Sequence, residues 1–190
     1  MGSPGALEHL WAPWRSRYVR DAKRLQEAGC LFCGLARAEE PRDALRLLAT
    51  SGALVVLNLF PYATGHLMVA PRRHMASPVD AATEEWHEVA DLVVYAERVL
   101  RKVYRPDGLN VGMNLGEAAG AGVPTHCHVH LVPRWAGDTN FMTSLADTRV
   151  HPESLQDTYD RLLPYFADGP RAPGDPLLAN EPPPKGADAT

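Results

Sequence analysis

From Thr83 to Tyr104 the apolar positions Trp86, Val89, Leu92, Val93, Ala96, Val99, Leu100 and Val103 recur at steps of three and four. That is the stripe of an amphipathic helix, and the spacing predicts one helix over the whole stretch. Upstream, two apolar runs, Ala53 to Leu57 and His66 to Ala70, flank the loop Asn58 to Gly65, which reads as two strands joined by a turn. Cys30 to Ala38 fits a short helix, closed by the turn residues Glu40 and Pro41. After the turn Pro106-Asp107-Gly108, Leu109 to Leu115 alternates as a strand and leads into a glycine-rich stretch, Gly116 to Gly122. A further strand is expected over His126 to Pro133, and a last helix over Pro152 to Leu163, with Glu153 favouring its dipole. Clustered strands with helices inserted between them, not strictly alternating, favour an α+β fold with an antiparallel sheet.

The flanks differ from this core. Residues 1–25, with Trp11, Pro13, Trp14 and Arg15, read as an N-terminal arm; residues 26–167 read as one domain; residues 168–190, rich in proline, read as a flexible tail. At 190 residues, 45% hydrophobic, the chain suits a single core. A formal charge of −4 provides no basic field for a nucleic-acid polymer, although a few donors suffice for a small anion. No apolar run approaches the ~20 residues of a membrane span, and no signal-peptide pattern opens the chain, so no membrane association and a cytoplasmic location are expected. Three cysteines, Cys30, Cys33 and Cys127, are too few for a disulfide scaffold.

The chemistry concentrates at His126, His128 and His130. Alternate residues of a strand share a face, so these imidazoles line up while Cys127, Val129 and Leu131 face the core. All three closing on one metal is disfavoured. Strand residues four apart lie about 13 Å apart at ~3.3 Å per residue, too wide for two ligands at ~2 Å from one zinc. Imidazole suits attack on a phosphate ester, being largely uncharged at neutral pH with an ordinary pKa of ~6.5. Cys30 and Cys33 have the C-x₂-C spacing of a metal pair, with a redox pair as the rival reading. The glycine-rich stretch serves either as an anion-binding loop of backbone amides or as an ordinary hairpin connection.

The run His126-Cys127-His128-Val129-His130-Leu131-Val132 resembles the signature of the histidine triad (HIT) family. Cys30-Leu31-Phe32-Cys33, Asn58, Gly65 to Pro71 and Arg72-Arg73-His74 fall upstream in that family's order. With Trp135 and Gly137 to Phe141 the chain looks most like the branch of bacterial diadenosine tetraphosphate phosphorylases.

The resemblance implies an antiparallel five-stranded sheet with a long helix and a C-terminal helix, and a homodimer. It implies cleavage of a dinucleoside polyphosphate through a nucleotidyl-histidine on His128, with His130 as a donor and with inorganic phosphate or water as acceptor. By the same resemblance Asn58, His66, Asn114, Gly122 of the loop and Trp135 bind substrate. Cys30, Cys33, His74 and His126 hold a structural zinc, and no organic cofactor is implied. Leu59 and Phe60 either sandwich a base or belong to the core. One departure stands out: Gly122-Val123-Pro124-Thr125 occupies the place where many members carry a polar pair, which implies altered contacts to the leaving phosphate. Three functions compete at this point: the polyphosphate-cleaving enzyme, a nucleotide-binding module with little turnover, and a relative that hydrolyses nucleoside phosphoramidates or transfers nucleotides to sugar phosphates.

Overall fold

The computed structural model describes residues 29–138 and 153–170; the N-terminal arm, residues 139–152 and most of the expected tail lie outside the described residues. The elements in chain order are α1 (Leu31–Arg37), β1 (Arg46–Ala49), β2 (Ala53–Leu57), β3 (Leu67–Pro71), α2 (Thr83–Tyr104), β4 (Gly108–Gly112), β5 (Val129–Arg134) and α3 (Leu155–Phe166). The strands form one five-stranded sheet in the order β1-β2-β3-β5-β4, and every neighbouring pair is antiparallel. Among the described residues no helix is long and apolar enough to cross a membrane.

Burial on both sides of β2 and β3 follows from their uninterrupted apolar sequences, since period-two alternation gives each face its own apolar set. On one face Val55, Leu57, Leu67, Val69, Val129 and Leu131 meet Val89, Leu92, Tyr95, Ala96, Val99 and Leu100 of α2, and Tyr159, Leu162 and Phe166 of α3. On the other, Leu54, Val56, Met68 and Ala70 pack with Phe32 of α1 and with Val123. α1 is held there by Arg46, whose guanidinium donates to the Leu35 and Ala36 carbonyls at 2.7 and 3.1 Å and so satisfies the end of the helix. α2 starts where the Glu85 carboxylate accepts the Ala82 N–H at 2.9 Å, and it stops at Arg105, which has φ 47° and is followed by Pro106.

Several expectations shift by a few residues, for identifiable reasons. β5 starts at Val129, not at His126: residues 122–126 form a turn after which the Cys127 N–H is spent on the Met75 carbonyl at 2.8 Å. β4 ends at Gly112, paired with His130, the second residue of β5. His66 belongs to the turn, its N–H bonding the Ala63 carbonyl at 3.2 Å, so β3 begins one residue later. α3 begins at Leu155 under a Ser154 cap that accepts the Asp157 N–H. Glu153 lies outside the helix, where its carboxylate accepts from Tyr104 and pairs with Arg161. β1 had no counterpart among the strands read individually from the sequence.

Candidate active site

The loop between β2 and β3 and the approach to β5 carry the site. His126 and His128 precede the strand, and His130 is its second residue, opposite Met68 of β3. His126 is 0% and His128 4% exposed. Phe32 of α1, itself 0% exposed, lies against both, with ring centroids 5.2 Å from His126 and 4.6 Å from His128. His130 follows 4.7 Å from His128, and His66 stands 5.1 Å from His130.

Hydrogen-bond partners dictate which nitrogen of each ring carries the proton. The His128 Nδ1 lies 2.9 Å from the His126 carbonyl oxygen, which can only accept, so Nδ1 is the protonated nitrogen and Nε2 keeps its lone pair. At His66 the Nδ1 receives the Tyr62 backbone N–H at 3.0 Å, and the Asn58 amide nitrogen lies 3.4 Å from the same atom. The proton of His66 therefore resides on Nε2, which donates to the His130 Nδ1 at 2.9 Å. His130 is left with its own proton on Nε2. A relay of two hydrogen bonds thus turns a backbone amide into a fixed donor at the centre of the site.

Burial pushes the His128 pKa down, partly countered by the bond to the His126 carbonyl. Burial, followed by the charge of His128, pushes His130 down to about 4. Both rings are uncharged at neutral pH, the state in which a lone pair is available to attack.

A cleft of about 210 Å³ opens beside His128, lined by apolar side chains such as Leu31, Phe32, Leu35 and Met68 together with Asn58, Leu59 and Phe60. Leu59 and Phe60 line this cleft, and Leu59 is largely exposed. Asn58 is buried, and its side-chain amide oxygen Oδ1 accepts the Phe60 N–H at 3.0 Å, a turn that fixes the cleft wall.

The other substrate-binding candidates stand further out. Asn114 is exposed beyond the end of β4, and Gly122 is half-buried next to the buried Val123. Trp135 is half-buried in a turn whose N–H donates to Asp138, the partner of Arg134. In the glycine-rich stretch a short turn, Glu117–Ala119, is bracketed by Gly116 and Gly120 at φ 80° and 86°, conformations that suit glycine.

Cys30, Cys33, His74 and His126 converge so that one ligand atom from each lies within 4.8 Å of the others. The His126 Nδ1 is 3.2 Å from the Cys30 Sγ and 3.7 Å from the Cys33 Sγ, and the His74 Nδ1 is 3.5 Å from the Cys33 Sγ. A tetrahedral ion with ~2.3 Å bonds to sulfur and ~2.0 Å bonds to nitrogen sets an S···N edge of about 3.5 Å, so the donor set fits a metal. The His126 Nε2 donates to the Pro71 carbonyl at 2.8 Å, which leaves Nδ1 as the ligating atom. Cys127 is buried and stands apart from this group.

Two contributors escaped sequence reasoning, Phe32 and Tyr62. Their signal was present: Phe32 sits between the two cysteines, and Tyr62 lies four residues before His66.

The α+β sheet and its row of tautomer-fixed imidazoles, the first of them shared with a group of side chains that could hold a metal, put the chain in the histidine-triad class. The chain belongs to the HIT domain family, whose model matches residues 40–137. It is 37% identical over 175 residues to the AP-4-A phosphorylase of Mycobacterium tuberculosis, covering 90% of each chain. It is 31% identical over 123 residues to the adenosine 5'-monophosphoramidase HNT1 of Saccharomyces cerevisiae, covering 65% of this chain and 73% of that one. Among solved structures, a Zn-bound histidine triad family protein from Mycobacterium smegmatis superposes with a TM-score of 0.56 at 27% identity, covering 74% of this chain and 95% of that one.

Proposed function

We propose that this chain is a nucleotidyl-transferring enzyme that cleaves dinucleoside polyphosphates of the diadenosine tetraphosphate kind, with phosphate as the preferred acceptor. The observation that carries the reading is the bond from the His128 Nδ1 to the His126 carbonyl, which reserves Nε2 for attack. One nucleoside occupies the cleft beside His128, with its base among the apolar side chains and its ribose toward Asn58. The Nε2 lone pair forms a bond to the α-phosphorus as the P–O bond to the rest of the chain breaks. A nucleoside polyphosphate leaves with that electron pair, and the histidine, still protonated on Nδ1, carries the nucleotidyl group. An oxygen of inorganic phosphate then attacks the same phosphorus, the N–P bond breaks, and a nucleoside diphosphate departs. Water in that role gives the monophosphate.

The His130 Nε2–H donates to a non-bridging oxygen as its charge grows, and His66 holds His130 in the donating tautomer. Amides around Gly122, the Asn114 side chain and Trp135 serve the polyphosphate end. Zinc is the metal assigned to Cys30, Cys33, His74 and His126; with four protein ligands it supplies anchoring of the β5 approach, not an open coordination position. A cytoplasmic homodimer completes the reading.

Support for phosphorolysis comes from the likeness to the mycobacterial AP-4-A phosphorylase, which extends over nearly the whole chain. The yeast relative favours a second reading, hydrolysis of adenosine phosphoramidate at the same histidine. Incubation with diadenosine tetraphosphate separates the two: ADP plus ATP in the presence of phosphate is the expected result. Turnover of phosphoramidate alone would replace the first reading with the second, and no turnover of either would leave a binding module.

A further inference from the structure

Three side chains break the apolar lining of the cleft beside His128. His128 itself keeps its free nitrogen for attack, and the Asn58 Oδ1 is already spent on the Phe60 N–H at 3.0 Å. The third is Asp43, the one charged side chain among the described residues that line the cleft. Asp43 is exposed, and its carboxylate has no hydrogen bond or ion pair among the described residues. The neighbouring Arg42 is engaged elsewhere: its guanidinium is bidentate to Asp160 of α3 at 2.5 and 2.7 Å and lies 5.4 Å from the centre of the Tyr159 ring. That clamp fastens the turn to α3, and two backbone bonds close it, Leu45 N–H to the Arg42 carbonyl at 3.0 Å and Arg46 N–H to the Pro41 carbonyl at 2.8 Å. Asp43 is thus an unneutralised acceptor held on a fixed turn at an apolar slot.

The turn leads into β1 and His128 leads into β5, three strand spacings apart in the sheet, about 14 Å at ~4.8 Å each. A nucleotide laid across that distance, with its phosphorus at His128 and its ribose toward Asn58, brings the far edge of its base to Asp43. A carboxylate can only accept there. Guanine offers two adjacent donors, N1–H and the N2 amine, which match the two carboxylate oxygens. Adenine offers one amine flanked by ring nitrogens that also only accept, and an acceptor facing an acceptor is a repulsive element. Resting on the reading above, we propose that Asp43 is a specificity-determining residue that makes guanine the preferred base of the nucleotidyl group transferred. Adenine compounds remain substrates, held by the apolar walls, but bind less well. The base edge is remote from the bond being broken, so the preference is the same in ground and transition states and is read in KM.

The test compares diguanosine, diinosine and diadenosine tetraphosphate, each with the same base at both ends, so the base that enters the cleft is known. Wild type is expected to show a kcat/KM roughly five- to tenfold higher for the guanosine than for the adenosine compound. Inosine, which lacks the N2 amine, is expected to fall between them. Asp43→Asn offers a donor beside an acceptor, the match for an adenine edge, and is expected to lower kcat/KM for guanosine and raise it for adenosine. Wild type that treats guanosine and adenosine alike, or prefers adenosine, would overturn the proposal whether or not the variant folds. An equal proportional loss on all three substrates in Asp43→Asn would overturn it too, leaving Asp43 as a turn residue. Wild type that cleaves none of the three would remove the enzymatic reading itself, a result distinct from either of these.

Discussion

Replacing Phe32 separates a positioning ring from ordinary core filler. Its side chain is fully enclosed among Leu54, Val56, Met68 and Ala70, and its ring faces both His126 and His128. Truncation to alanine removes a buried aromatic ring, which costs about 3–5 kcal/mol. For a chain of this size each kcal/mol lowers the melting temperature by roughly 2–4 °C, so a fall on the order of 10 °C is expected. Leucine fills most of the volume and costs about 1–1.5 kcal/mol. It does not restore a flat face against the His128 imidazole, however. The orientation of Nε2 loosens in both variants, and a sub-ångström misplacement of a reacting atom lowers kcat by roughly tenfold. Thermal melts together with kcat and KM on diadenosine tetraphosphate read the two effects separately. KM rises as well because Phe32 lines the cleft. A leucine variant that is nearly as stable as wild type and keeps full kcat would refute the claim that this ring orients the nucleophile.

Other expectations concern the metal group and the response to acid. About one zinc per chain is expected by elemental analysis, lost with a clear drop in melting temperature in Cys30→Ser and retained in Cys127→Ser; carefully prepared protein without metal would contradict this. His130 has its pKa lowered to about 4 by burial and then by His128, against ~6.5 in the unfolded chain. Between those values the unfolded chain binds more protons, so its contribution to stability is complete above about pH 6.5 and is lost as pH falls toward 4. Denaturant melts at pH 7.5 and pH 5 should show that loss, reduced in His130→Asn; equal loss in the variant would assign the effect to other groups.

Much of this architecture was legible in the residue order. The stripe of α2 appears in the structure as a buried face, extended by Tyr95, a position the stripe did not include. The four metal-site residues, separated by up to 96 positions, converge as the family pattern implies. Local pattern could not reveal where β5 begins, because that depends on Met75 capturing the Cys127 N–H across the fold. β1 was missed since it is four residues long, irregular in register between Arg46 and Leu48, and preceded by Leu45 at φ 49°. Asn58 and His66 were picked out as substrate contacts, yet the visible work of their side chains is mutual: they fix the turn and, through it, the tautomer of His130. Such roles depend on partners brought together by the sheet, and spacing alone does not encode them.

The most direct measurement is intact-protein mass spectrometry after brief mixing with diadenosine tetraphosphate in phosphate-free buffer, followed by peptide mapping. A mass increment of one adenylyl group on His128, discharged to ADP when phosphate is added and absent in His128→Ala, is the predicted result. Turnover with no adduct on any rapid time scale, or an adduct on another residue, would contradict the account.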